Sequence, residues 1–165
     1  MNKLLLNGHD SVVKHVDTTN TNIVIGRNAS INNKNVNSTA VILGHNAGQQ
    51  TMDTNNNIMI GYESGYYNIN TKNNVFIGPK TGYNNNGFDN VFIGHQSGFE
   101  NKNGNTNIFI GTLSGYKNNQ GSSNIFIGNQ SGYQNTYGFN NVFLGTQSGE
   151  NNTSGNSNVF IGHKS

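Results

Sequence analysis

A glycine closes a short apolar triplet nine times in this chain, at Gly26, Gly44, Gly61, Gly78, Gly94, Gly111, Gly128, Gly145 and Gly162. The intervals are 18, 17, 17, 16, 17, 17, 17 and 17 residues. Four residues before this glycine stands Asn22, Asn57, Asn74, Asn90, Asn107, Asn124, Asn141 or Asn158, and only Ala40 breaks the column. Four residues after it stands another glycine, from Gly48 to Gly149, with Ser30 the exception. A third glycine recurs at Gly87, Gly104, Gly121, Gly138 and Gly155. So short a period excludes helical repeats, which need about 33 residues or more.

The triplets, such as Val91-Phe92-Ile93 and Ile108-Phe109-Ile110, are β-branched and aromatic and are bounded by Asn and Gly. Each reads as a short strand between turns. One strand per turn of chain predicts an all-β fold, a parallel β-solenoid or β-roll of about nine 17-residue coils over residues 22–165. Coils stacked at the inter-strand spacing of about 4.8 Å give a rod roughly 40 Å long. Gly supplies the positive φ that tight reversals need, and Asn tolerates it best among the others. The Asn column before the strand has a second expected role, since identical amides one coil apart can hydrogen-bond up the rod.

Order, not content, separates this chain from low-complexity disorder. Its 165 residues are 32% hydrophobic and 10% charged, both low for a globular domain. The net charge of +2 comes from scattered basic residues, so nucleic acid is not an expected partner. There is no cysteine, which excludes disulfides and Cys-ligated zinc. No stretch reaches the roughly 20 apolar residues of a membrane span, and membrane insertion is not expected. Leu4–Leu6 is too short for the apolar core of a secretion signal, so synthesis in a cytoplasm is expected.

Side chains alternate along a strand, so each triplet shows one apolar residue to one face and two to the other. A lone roll buries one face. The reading adopted from the alternation gives the flanking Val and Ile to each chain's own core. The column Phe76, Phe92, Phe109, Phe126, Phe143 and Phe160 then goes to a chain–chain interface. Exposing that stripe would leave a large apolar patch, which soluble monomers avoid. On this assignment Phe109→Asp breaks the assembly, whereas Asn118→Asp on a turn is nearly silent.

The pattern N-[VI]-F-[IL]-G-x-x-[ST]-G-[YF]-x-N…G…N resembles the repeats of trimeric β-roll segments in bacteriophage and viral fibres. It is similar in logic to the heads of trimeric autotransporter adhesins, whose coils carry an S-V-A-I-G-like strand. The coils here are longer, and Phe replaces the small residue at mid-strand. The resemblance implies a homotrimer and a structural, non-enzymatic fibre or spike component of a virus particle, more closely a phage. It would be made in the host cytoplasm, sit in the virion and contact a host surface glycan or protein. The alternative is a bacterial surface adhesin head module.

Individual side chains suggest no chemistry. His45, His95 and His163 share the position after the strand glycine, which elsewhere holds Arg27, Tyr62, Pro79, Thr112, Asn129 and Thr146. A solvent-facing turn explains them better than an ion-binding ring. Asp53, Glu63, Asp89, Glu100 and Glu150 fall at different repeat positions and form no acid/base pair. Calcium-binding rolls need Asp where this chain has Asn. No catalytic, cofactor or metal residue is therefore expected. Pectin-degrading β-helices need longer coils with clustered carboxylates or Arg, and ice-binding solenoids need a regular Thr array. Tyr66, Tyr83, Tyr116 and Tyr133 form a column suited to a second sheet or to stacking on sugars.

Residues 1–21 break the period. Leu4, Leu5, Leu6, Val12 and Val13 are the apolar residues the repeat does not place. They are expected to anchor the rod on a virion docking protein of capsid or tail, or to cap the first coil's open edge. Deleting residues 1–17 is expected to leave a trimeric rod that no longer joins the particle.

Overall fold

The computed structural model describes residues 22–30, 32, 39–52 and 55–165. Nine three-residue strands appear where the triplets stand: β1 (Ile23–Ile25), β2 (Val41–Leu43), β3 (Ile58–Ile60), β4 (Val75–Ile77), β5 (Val91–Ile93), β6 (Ile108–Ile110), β7 (Ile125–Ile127), β8 (Val142–Leu144) and β9 (Val159–Ile161). They form one parallel sheet in sequence order. Each strand pairs with the next in strict register, middle residue on middle residue, as in Phe92 opposite Phe109. Among the described residues there is no helix. The fold is a β-solenoid of nine strands joined by about eight turns.

Coil-to-coil bonding continues well past the strands. In the coil of β6, the backbone N–H of Ile108 donates to Asn124 O at 2.8 Å, while that of Gly111 donates to Ile93 O at 2.8 Å. Gly115 N–H then donates to Ser131 O at 2.9 Å and Lys117 N–H to Tyr133 O at 3.0 Å. Leu113 N–H turns back to His95 O at 2.9 Å. One coil thus bonds to both neighbours, and this accounts for backbone groups that three-residue strands alone would leave unpaired.

The core corrects one expectation. Phe76, Phe92, Phe109, Phe126 and Phe143 have no exposed surface within the single chain, and Phe160 is half-buried beside them. A side chain already enclosed by its own coil cannot form a contact with another chain. The Phe column is therefore each chain's own core, and the flanking Val and Ile face outward. Val24, Ile42 and Met59 continue the inner column through the first three coils.

Room for the rings comes from the return of the chain. Gly115 sits at φ 58°, and a Cβ built there would lie 2.4 Å from the Phe109 ring. The glycine four residues past the strand is thus both a left-handed turn and the wall on which the ring lies. From Phe92 to Phe160 successive rings stand 4.8 Å apart at 4–8°. That centroid distance matches the strand spacing and exceeds the van der Waals separation of carbon atoms, about 3.5–4.0 Å. Parallel rings in contact must then be offset, the arrangement their quadrupoles prefer. Burying each ring contributes about 2–3 kcal/mol.

One irregularity in the sequence has a visible cost. The interval from Gly78 to Gly94 is 16 residues, one short. The missing residue comes out of the turn after Asn85, whose amide reaches Gly87 O two residues on rather than three. The inner amide is kept in place, but the rings of Phe76 and Phe92 open to 5.3 Å and 18°.

Candidate functional site

Two amide ladders line the interior beside the rings. In the first, the backbone N–H of Asn74, Asn90, Asn107, Asn124, Asn141 and Asn158 donates to the Oδ1 of the preceding ladder Asn at 2.8–3.0 Å. Several side-chain amides do the same, as Asn124 Nδ2 does to Asn107 Oδ1 at 3.2 Å. The ladder expected from the sequence is present. The amides of Asn57, Asn74, Asn90, Asn107, Asn124 and Asn141 also donate to the glycine or threonine carbonyl of the third turn, for instance Asn107 Nδ2 to Gly121 O at 2.8 Å.

The second ladder was not anticipated. Asn85, Asn101, Asn118, Asn135 and Asn152 stand seven residues after the strand glycine, and all but Asn152 are fully buried. Asn135 Nδ2 donates to Asn118 Oδ1 at 2.7 Å, and Asn118 Nδ2 donates both to Asn101 Oδ1 and to Gly121 O. Below Asn85 the pattern fades: Asn68 accepts from Asn85 and from the Thr71 hydroxyl, while its own amide nitrogen finds no acceptor. A serine column completes the interior. Ser97, Ser114 and Ser131 each donate to the Phe carbonyl of the next coil's strand at 2.9–3.1 Å.

Asn118 therefore does not occupy a silent turn. Asn118→Asp removes an amide donor with two buried acceptors and sets an ionised carboxylate beside Asn101 Oδ1. Leaving buried polar groups unpaired costs about 1–3 kcal/mol each, more with a charge. Burial raises the introduced carboxyl's pKa in the fold above its unfolded value. A raised folded pKa means that stability is retained below the unfolded pKa, about 4, and is lost as pH rises through the folded one. The variant is expected to melt well below the parent at pH 7 and to recover part of the difference at pH 4, read by circular dichroism.

The outer aromatic column stands in a turn, not in a second sheet. Tyr66, Tyr83, Phe99, Tyr116 and Tyr133 stack at 4.9–5.2 Å with their planes within 11°. Their faces cover one another, so between neighbours no ring face is open to a sugar. Desolvation, reinforced by Glu63, raises the Tyr83 phenol above its ordinary pKa, and desolvation with Glu100 does the same for Tyr116.

The titratable groups stay apart. His45, His95 and His163 are exposed, with His45 5.7 Å from the Tyr62 ring. Glu63 pairs with Lys80 at 3.6 Å. Among the described residues, no three His, Asp or Glu side chains gather where they could hold a metal ion, and no helix is long and apolar enough to cross a membrane. A recess of about 570 Å³ lies over Phe160 between Gln147, Glu150 and Lys164. It is the side of the ring column that a further coil would cover. The segment carrying Leu4, Leu5, Leu6, Val12 and Val13 lies outside the described residues.

One feature remains a continuous surface. The first and third residues of the nine strands form two parallel aliphatic columns on the outside of the sheet, all Val, Ile or Leu. Ile77, Ile108 and Ile127 are 37–39% exposed although flanked by neighbours above and below. Fold and surface together define a parallel β-solenoid with an outward aliphatic stripe. No family model, curated protein or solved structure matches the chain.

Proposed function

We propose that this chain is a structural, non-enzymatic rod that forms a homotrimeric fibre or spike component of a virus particle, more closely a phage. The observation that carries the reading is the regular stack itself. Nine strands stand in register, and from β5 to β9 they are locked by rings at 4.8 Å and by two amide ladders, which gives length and stiffness from a narrow cross-section. The likeness of the repeat to phage and viral fibre repeats supports the viral setting, and the uncovered aliphatic columns support association of several chains. Residues 1–21 are the proposed attachment to capsid or tail, and a host surface glycan or protein is the proposed distal contact.

Immunogold labelling with antibodies to the purified rod tests the setting. Label on projections of particles made by the encoding virus is the expected result. Label confined to a bacterial cell surface would overturn it in favour of an adhesin head. Light scattering is expected to give three times the 17.9 kDa chain mass.

A further inference from the structure

We infer that the outward aliphatic face of the sheet is the surface through which copies of this chain join, their rods parallel and their Val/Ile columns turned toward a shared axis. This rests on the homotrimer proposed above and names its interface.

The size of the face fits. A Val or Ile side chain that gains about 2–3 kcal/mol on full burial at about 25 cal/mol per Å² presents roughly 100 Å². With roughly a third of that exposed on each of eighteen side chains, the face offers on the order of 600 Å² before its borders are counted. Patches of about 300–600 Å² are the largest on ordinary monomers, and a standard interface takes about 800 Å² per partner. The face alone stands at the top of the monomer range, and in a trimer each chain shares it, with its borders, between two neighbours.

The shape and charge select the occupant. Side chains repeat at the coil spacing along the whole rod, in two columns about 7 Å apart, twice the rise of a strand residue. Another copy carries the same lattice, so the side chains of the two copies keep step over nine coils. Copies related by rotation bring identical residues together, and like charges at the seam would cost several kcal/mol. The borders are neutral where this matters: Thr106, Ser123 and Asn140 on one side of β6–β8, Thr112, Asn129 and Thr146 on the other. Arg27 and Asp89 are the charged residues in those two border columns. Lys102, Lys117 and Glu100 lie further round the coil.

The test combines mass and fold for the parent chain and for the double variant Ile108→Asp/Ile110→Asp. Both positions are partly exposed, so the single coil tolerates them better than an inner site. The expected result is a threefold drop in light-scattering mass with the β circular dichroism retained. A folded variant that keeps the parent's mass would overturn this face and leave the trimer standing. A monomeric parent would overturn both. Should the variant not fold, Ile110→Cys in this cysteine-free chain decides. Treatment with a short bismaleimide is expected to link chains through Ile110→Cys and not through Lys102→Cys. Linking at neither position, or equally at both, would overturn the face.

Discussion

Phe109→Ala is expected to lower the unfolding free energy by about 3–5 kcal/mol, and Phe109→Asp to abolish the cooperative melt. The ring has no exposed surface and lies between Phe92 and Phe126 at 4.8 Å on either side. Removing it opens a cavity that its neighbours cannot fill, because their spacing is set by the backbone ladder. A carboxylate in its place would be enclosed by two rings and by Gly115. Such a burden is comparable with the whole stability of a domain, about 5–15 kcal/mol. Thermal circular dichroism reads both variants. A folded but dissociated Phe109→Asp chain would return the Phe column to the chain–chain interface.

Gly94→Ala and Gly162→Ala should differ sharply, although both glycines hold φ 127°. A Cβ on Gly94 would lie 2.6 Å from Gly111 O and 2.7 Å from its carbonyl carbon, which are backbone atoms of the next coil. At Gly162 nothing lies within 4 Å. The strain of the left-handed backbone, about 1–3 kcal/mol, applies to both. The clash adds about 1–3 kcal/mol at Gly94 alone, because relief requires two coils to separate. Urea midpoints measure the gap. Equal losses would mean that the glycine serves φ only and that the coils do not press on it.

The period, the strands and the first amide ladder were legible because each rests on a local rule: triplet, turn residue, identical amide one coil on. The face assignment was not. In Val91-Phe92-Ile93 both faces are apolar, so alternation cannot say which is inside. The deciding clue lay elsewhere in the coil, in Ser114-Gly115 and its equivalents. Small residues there leave room for the large side chain at mid-strand, which marks that face as the inner one. The second ladder escaped for a similar reason. Asn118 looks like turn chemistry, and its burial follows from how the chain returns over the core, which spacing alone does not encode. The proposed anchor on Leu4–Leu6 had no repeat to support it, and that segment is not described.

Among the described residues each coil bonds to the coils beside it, through ladders that repeat from Asn85 onward. Stability in such an array grows by a constant increment per unit. Duplication or loss of one seventeen-residue unit would leave the cross-section and the outward face unchanged and alter only reach, by one strand spacing of about 4.8 Å. Reach can therefore be selected in steps by recombination among near-identical gene segments. The sixteen-residue coil between Gly78 and Gly94 shows the tolerance of the stack: one residue fewer tilts one ring pair, and the stack resumes its rhythm on the next turn.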